Sequence, residues 1–195
     1  MYHHSMKNIN DFLRSLFAND FKSEYSHANR VEQFEDKQFF RMDCSGFAYW
    51  VLFQMGYKRA LAEIRQFLKD NNFLKINRLF CKDFAFMYEH ADAFKYWRFV
   101  SEPVENSILV VAFSDTTGHC MFVDKIVRKT KNGFCLRVFD STRYPHKNDT
   151  RKDNETGLGI GEIKISMVDG KYVYDACNQN LPPRNADVYF VLPIK

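Results

Sequence analysis

Asp43-Cys44-Ser45-Gly46-Phe47 begins the most apolar segment of this chain, and almost every side chain from residue 45 to residue 55 is apolar. A segment that is apolar nearly all round predicts a helix buried at the centre of the fold. Gly56 is well placed to end that helix. The pattern puts Cys44 at the helix N-terminus, where unpaired backbone N–H groups favour a thiolate.

A histidine and an acid that could serve such a thiolate follow in the chain. Gly118-His119-Cys120 begins one strand-like run, and Phe139-Asp140-Ser141-Thr142 ends the next. Lys131-Asn132-Gly133 between them carries the Asn-Gly signal of a β-hairpin. We therefore expect an antiparallel hairpin with His119 at one end and Asp140 at the other.

These residues predict a cysteine–histidine–acid site. Cys44 would be the nucleophile and His119 its base, within hydrogen-bonding reach. Asp140 would orient the imidazole by accepting its other N–H. His146 is the alternative third member, and Asp124 on the His119 strand is a more distant one.

The remaining histidines and cysteines have simpler explanations. The other histidines fall in the tail, in a polar loop or on a surface helix: His3, His4, His27 and His90. Cys81 and Cys135 suit packing positions, Cys120 should face the side of its strand opposite His119, and Cys177 falls in a late loop. The spacing of the five cysteines gives neither a disulfide framework nor a zinc site, so no metal and no cofactor is expected.

Length and composition favour one domain over residues 1–195, with a tail and first helix at 1–24. The chain has 195 residues, of which 46% are hydrophobic and 16% aromatic, enough for a core. A net charge of +4 with scattered basic residues argues against a nucleic-acid partner. Nothing in the sequence indicates an oligomeric state.

Membrane insertion and a secretory signal are not predicted. The first ten residues are polar and lack an apolar signal segment. The longest dense apolar run, Phe47 to Phe53, is far shorter than the roughly 20 residues that span a bilayer. We expect a cytoplasmic protein, or one exported without a cleavable signal peptide.

Helices are expected before the sheet and loops on either side of the site residues. Apolar spacing predicts an amphipathic helix from Ile9 to Phe17, a second around residues 61–68 and a third somewhere within residues 79–94. Residues 25–38 are polar and aperiodic and predict a loop. Residues 141–161 are polar and predict a long surface loop beside the site. Further strands are expected at 108–113, 163–168, 172–174 and 188–192.

The motifs Asp43-Cys44-Ser45-Gly46-Phe47, Gly118-His119 and Asp140-Ser141-Thr142 resemble the NlpC-type branch of the papain-like cysteine peptidases, which are bacterial cell-wall endopeptidases. Looser features between residues 25 and 171 look like an uncharacterised bacterial subgroup: Tyr25-Ser26-His27, Tyr96-Trp97-Arg98, Asp149-Thr150-Arg151 and Gly157-Leu158-Gly159-Ile160-Gly161. The resemblance implies an α+β, papain-like fold. In that fold N-terminal helices, with the nucleophile at a helix N-terminus, pack on an antiparallel sheet.

The resemblance also implies an activity and a substrate. Cys44 would attack an amide carbonyl, with His119 as base and then acid and Asp140 as the orienting residue. Asp43 and Ser45 would help to hold a peptidoglycan stem peptide, and Tyr25 is the counterpart of a tyrosine near the oxyanion. The bond implied is that between γ-D-glutamyl and a diamino acid, and the partner is a peptidoglycan fragment.

Two further classes of function stay open. The Gly-Gly pair before the nucleophile and the Pro-Gly-Asp before the histidine strand, both usual in that branch, are missing here. Their loss is compatible with a secreted effector that acts on protein glutamine or isopeptide bonds, as a deamidase or a transglutaminase-like enzyme. A binding module with a relic of the triad is the third class, and the retained order of cysteine, histidine and acid argues against it.

Overall fold

The computed structural model describes residues 8–72, 80–114 and 117–195, so the tail histidines His3 and His4 lie outside the described residues. The described helices are α1 (Ile9–Phe17), α2 (Cys44–Gln54), α3 (Lys58–Asp70) and α4 (Cys81–Glu89). The described strands are β1 (Phe21–Tyr25), β2 (Arg30–Phe34), β3 (Lys37–Met42), β4 (Trp97–Val100), β5 (Ile108–Ala112), β6 (Gly118–Thr130), β7 (Gly133–Thr142), β8 (Gly157–Val168), β9 (Lys171–Asp175), β10 (Arg184–Asn185) and β11 (Asp187–Pro193).

An eight-stranded sheet forms most of the fold, in the order β10-β9-β8-β7-β6-β5-β11-β4. All neighbouring strands in it are antiparallel. The hairpin β6–β7 turns at Lys131-Asn132, with Thr130 paired to Gly133, so this predicted hairpin is confirmed. It provides the two strands on which His119 and Asp140 lie.

The core occupies both faces of the large sheet. On one face, the apolar helix α2 packs against β6, where the Phe47 and Phe122 rings meet edge to face. The other face carries a second cluster that includes Met121, Val123 and Val138. β5 is buried on both faces, because its residues alternate between the two clusters. Among the described residues, no helix is long and apolar enough to cross a membrane.

A three-stranded sheet lies between α1 and α2 in the chain, in the order β1-β3-β2. The prediction of a loop over residues 25–38 is therefore wrong. β2 and β3 form a hairpin whose two turn residues, Glu35 and Asp36, have φ of 49° and 60°. Both faces of β2 are largely exposed, so no buried apolar alternation marks the strand in the sequence.

The expected papain-like fold, with helices packed on a small sheet, is also wrong. Strands dominate the described chain, in one sheet of eight strands and a second of three. Two causes are visible. The three-stranded sheet replaces a predicted loop, and the strands β6 and β8 are longer than their buried cores, since their outer ends are exposed. The local expectation, a cysteine at the start of a helix that packs on an antiparallel sheet, agrees with α2 and β6.

The predicted surface loop over residues 141–161 needs a similar correction. β7 extends to Thr142 and β8 begins at Gly157, which leaves a shorter connection. That connection is not wholly exposed, because His146 and Arg151 are buried within it. Both side chains turn inward to the carboxylate of Asp140, as described below.

Candidate active site

The start of α2 is fixed by Asp43, the N-cap residue. Its Oδ1 accepts hydrogen bonds from the Gly46 N–H at 2.7 Å and from the Ser45 hydroxyl at 3.0 Å. This capping makes Cys44 the first helical residue, as predicted. Gly46 is required for a close approach, since a Cβ there would lie 1.7 Å from Oδ1 of Asn29. Asn29 in turn accepts from the Asp43 N–H at 3.0 Å.

The ends of β6 and β7 separate beside this helix start. Their pairing begins at Phe122 and Phe139, although β6 starts at Gly118 and β7 runs to Thr142. The Ser141 hydroxyl donates to the Met42 carbonyl at 2.6 Å, which ties the end of β7 to the residue before the N-cap. The separated strand ends therefore bring His119 and Asp140 next to the first turn of α2.

The three predicted catalytic residues meet here. Nε2 of His119 donates to Oδ2 of Asp140 at 2.6 Å. Because Asp140 engages Nε2, Nδ1 is the ring nitrogen left for Cys44, whose charge raises the pKa of His119. The three groups follow in the order sulfur, imidazole, carboxylate. Nε2 is then held by Asp140, and Nδ1 is free to exchange a proton with Cys44.

The environment favours a thiolate–imidazolium pair. Hydrogen bonds from Cys120 and Cys81 lower the pKa of Cys44 well below its usual value, and His119 adds to this against the opposing effect of burial. Burial disfavours the charged imidazole, yet the charges of Cys44 and Asp140 raise the pKa of His119 to about 10. Among Cys44, Cys81 and Cys120, Cys44 is therefore the thiol whose lowered pKa favours the thiolate form.

Asp140 has two further partners. Nε2 of His146 donates to Oδ2 at 2.8 Å, and Arg151 donates to Oδ1 at 2.8 Å. Burial opposes ionisation of Asp140, but Arg151 and His146 hold its pKa well below the usual range. Nδ1 of His146 meets the Ala176 carbonyl at 3.0 Å, so both of its ring nitrogens are used away from Cys44. The geometry places His146 behind Asp140 as a support for the carboxylate.

Two glycines of β8 make room for this support. A Cβ at Gly159 would lie 2.3 Å from Nε of Arg151, and a Cβ at Gly161 would lie 2.6 Å from Cβ of His146. Asp149 completes the arrangement by accepting from Arg151 at 2.8 Å. The alternating glycines of β8 thus leave room for the Arg151 and His146 side chains beside Asp140.

His119, Asp140 and His146 also form a possible set of metal ligands, because one donor atom from each lies within 4.8 Å of the others. Their orientation favours a hydrogen-bonded site. Both Nε2 atoms meet the same oxygen of Asp140, and the Arg151 guanidinium occupies the other. A fixed cation in contact with the only carboxylate of the set opposes a second cation there.

A cavity of about 400 Å³ opens beside Cys44. It is lined by Tyr25, His27, Asp43, Cys44, Ser45, Phe80, Cys81, Lys82, Thr117 and Gly118. All three residues that the sequence predicts for substrate binding therefore lie at one opening. His27, Lys82 and Cys81 were not predicted to lie there, and their distance in sequence from the catalytic motifs gives no signal of it.

The predicted substrate residues differ in how free they are. Oδ2 of Asp43 meets Nδ1 of His27 at 2.8 Å, so protein donors engage both carboxylate oxygens. Burial opposes ionisation, but His27 and the Gly46 N–H hold the pKa of Asp43 below its usual value. Burial and the nearby charge of Cys44 raise the pKa of Tyr25 to about 12, so its hydroxyl stays a donor.

The other candidates have partners elsewhere. Asp124 is bound by Arg14 and Arg137 rather than by a histidine. Nδ1 of His90 meets the Phe86 carbonyl on α4. Cys135 and Cys177 are partly exposed, and burial raises the pKa of each thiol.

The site so defined is a thiol–imidazole–carboxylate site at a helix N-terminus, beside an open cavity. No family model, no curated protein and no solved structure matches this chain. Any function must therefore be argued from the site itself, which is sound in principle because the same catalytic arrangement recurs on unrelated folds.

Proposed function

We propose that the protein is a cysteine amidohydrolase in which Cys44, His119 and Asp140 form the catalytic triad. The observation that carries the proposal is that Cys44, on the wall of a cavity, interacts electrostatically with His119, whose Nε2 is hydrogen-bonded to Asp140. A thiolate is the nucleophilic form of cysteine, and the pKa of Cys44 lies well below its usual value. The papain-like fold is not part of this proposal.

The reaction follows from the positions of the three residues. The Cys44 thiolate adds to the amide carbonyl carbon, and the first-turn N–H groups of Cys44 and Ser45, which have no acceptor within the helix, receive the oxyanion. Nδ1–H of His119 protonates the leaving amine, which yields a thioester and neutral imidazole. Nδ1 then takes a proton from water, the resulting hydroxide attacks the thioester, and Cys44 leaves as thiolate. Asp140 holds Nε2–H throughout.

The cavity favours a small, anionic peptide as the substrate. A volume of about 400 Å³ suits a few residues rather than a folded protein surface. Lys82 is exposed at its edge and offers a cation to a substrate carboxylate. Peptidoglycan stem peptides are short and carry several carboxylates, so the bond between γ-D-glutamyl and a diamino acid is the first to test.

The test offers the protein two substrates in parallel: purified muropeptides and a glutamine-rich protein. Wild type, Cys44→Ala and the matched control Cys135→Ala are compared, because Cys135 lies outside the cavity. New amino termini and released ammonia are followed. We expect muropeptide cleavage by wild type and by Cys135→Ala but not by Cys44→Ala.

Other results would redirect or contradict the proposal. Cys44-dependent ammonia release from the protein, with intact muropeptides, would favour the effector class of deamidases. Turnover that survives Cys44→Ala would contradict the triad. Absence of any Cys44-dependent turnover on either substrate would favour the non-enzymatic binding module.

A further inference from the structure

Three thiols from three different elements meet at the candidate nucleophile. Sγ of Cys81 lies 3.2 Å from Sγ of Cys120, both residues belong to the same buried cluster as Cys44, and Cys81 lines the same cavity as Cys44. All three are buried, with 6%, 8% and 1% of Cys44, Cys81 and Cys120 exposed. The sequence pattern gives Cys81 a packing position and turns Cys120 to the strand side opposite His119, and the separation of 39 positions gives no hint that the two thiols touch.

The fold holds this cluster in place. Cys81 is the first residue of α4, and it packs directly over Gly118 of β6. A Cβ at Gly118 would lie 2.6 Å from Cβ of Cys81, so only glycine permits this approach. Cys120 lies two positions further along β6 and thus faces the same side. The helix and the strand therefore bring their thiols together within reach of the start of α2.

The three thiols differ in access and in protonation. Cys44 and Cys81 line the cavity, whereas Cys120 lies behind them. The pKa of Cys44 is lowered, while hydrogen bonding and burial raise the pKa of both Cys81 and Cys120 well above the usual value. A small oxidant that enters the cavity therefore meets one thiolate, with two protonated thiols in contact with it.

We propose that Cys44, Cys120 and Cys81 form a thiol relay that accepts oxidation by a hydroperoxide and transfers it to a Cys81–Cys120 disulfide. The cluster supplies at one place a cysteine on the cavity wall, Cys44, and two further thiols that lie 3.2 Å from each other. The relay uses no amide substrate, so it does not depend on the proposed hydrolysis.

The relay consists of three balanced steps. The Cys44 thiolate attacks the hydroperoxide ROOH, forms the sulfenic acid and releases the alcohol ROH once the alkoxide is protonated. The Cys120 thiol attacks the Cys44 sulfur, which forms a Cys44–Cys120 disulfide and releases water. The Cys81 thiol then attacks the Cys120 sulfur, and Cys44 leaves with its proton restored. Overall, two thiols are oxidised to one disulfide, and ROOH is reduced to ROH and water.

The consequence is protection of the nucleophile. A cysteine thiolate without a resolving thiol proceeds from sulfenic to sulfinic acid, which ordinary thiols do not reverse. Here Cys44 emerges as a free thiol, and the oxidation is stored in a disulfide that thiol exchange can reduce. The thiolate of lowest pKa is also the best leaving group, and this favours the final transfer from Cys44–Cys120 to Cys81–Cys120.

The experiment treats the full chain with one equivalent of hydrogen peroxide, blocks free thiols with iodoacetamide and maps the peptides without reduction. In wild type and in the control Cys135→Ser we expect a Cys81–Cys120 disulfide and a blocked, unoxidised Cys44. In Cys81→Ser the product should stop at Cys44–Cys120. In the double variant Cys81→Ser/Cys120→Ser, which removes both neighbouring thiols, we expect a dimedone-reactive sulfenic acid at Cys44, and sulfinic acid in excess peroxide roughly tenfold faster than in wild type.

The mapping of wild type alone can overturn the relay. Conversion of wild-type Cys44 to sulfinic acid without any disulfide among the three thiols would do so. Equal rates of sulfinic acid formation in wild type and in a folded Cys81→Ser/Cys120→Ser double variant would do so as well. These readings are masses of thiol peptides, so they are independent of whether the protein cleaves muropeptides.

Discussion

Asp124 and Asp140 lie on the neighbouring strands β6 and β7, and both are fully buried and bound by cations, but their partners differ. Asp124 binds Arg14 and Arg137, whose side chains are 49% and 37% exposed. Asp140 binds His119, His146 and Arg151, whose side chains are 13%, 2% and 3% exposed. One carboxylate faces arginines that reach it from solvent, and the other lies in an enclosed group that includes two imidazoles.

The comparison separates a buried acid that supports the fold from one that can support chemistry. Both acids are fully buried, so burial does not distinguish them. The difference lies in what the carboxylate holds. An arginine stays protonated, so a carboxylate can hold it in place but cannot help it to transfer a proton. A histidine held through one ring nitrogen can transfer a proton at the other. Asp140 holds an imidazole whose other nitrogen faces Cys44, and Asp124 holds no histidine.

The largest expected difference is in turnover. Asp140→Asn removes the acceptor that fixes the His119 tautomer, so turnover per folded molecule should fall about 10²- to 10⁴-fold. Asp124→Asn should leave turnover within about twofold, although both substitutions should lower stability because each leaves a charged partner unpaired. Hydrolysis rates, normalised to folded protein by circular dichroism, measure the contrast.

A third variant locates the orienting residue. His146→Ala should have a smaller effect than Asp140→Asn, since His146 touches the carboxylate and not the thiol. If turnover collapses in His146→Ala while Asp140→Asn stays near wild type, the role passes to His146. Equal losses in Asp140→Asn and Asp124→Asn would remove the distinction between the two acids.

The next difference concerns thiol reactivity and its pH dependence. A lowered pKa at Cys44 keeps its thiolate populated as the pH falls, so its alkylation rate should be nearly constant from about pH 8 to pH 6. The pKa of Cys177 is raised to about 11, so its rate should fall about tenfold for each pH unit over that range. Limiting iodoacetamide followed by mass spectrometry measures both rates, and at pH 6 we expect Cys44 to react about 100-fold faster or more.

The two acid variants sharpen this measurement. Asp124→Asn should keep the flat profile of Cys44, whereas Asp140→Asn should make its rate fall with falling pH, because the imidazolium beside the thiolate loses its counter-charge. Preferential labelling of Cys120 or Cys177 in wild type would contradict the assignment of Cys44 as the nucleophile.

Much of the site could be predicted from the sequence because its signals are local. The Asp-Cys-Ser-Gly stretch specifies a capped helix start, and the Asn-Gly turn specifies the hairpin that carries His119 and Asp140. The supporting contacts could not be predicted in the same way. Arg151 and Cys81 reach the site through tertiary packing against Gly159 and Gly118. The need for glycine at these two positions is evident only when the opposing side chain is known.

The fold is harder to predict from the sequence than the site, for a related reason. Strands with buried apolar side chains, such as β5 and β11, lie near their predicted positions because burial imposes an apolar pattern. β2 is exposed on both faces, and its turn at Glu35 and Asp36 uses left-handed residues other than glycine. Neither feature has a strong signal in a single sequence, so a short sheet was predicted as a loop and the fold as papain-like.

The smallest expected effect is on stability, from replacing Arg14, the more exposed of the two arginines that bind Asp124. Arg14 is about half exposed and pairs with Asp124 at 2.7 Å, while Arg137 contacts the other carboxylate oxygen. Arg14→Met should therefore lower the free energy of unfolding by about 1 kcal/mol or less, because water and Arg137 continue to compensate the charge. Urea unfolding with a constant slope measures this difference, and turnover should be unchanged. If Arg14→Met loses several kcal/mol of unfolding free energy, or as much turnover as Asp140→Asn, the two buried acids are coupled through the sheet. Asp124 would then not be a purely structural group that is independent of the catalytic one.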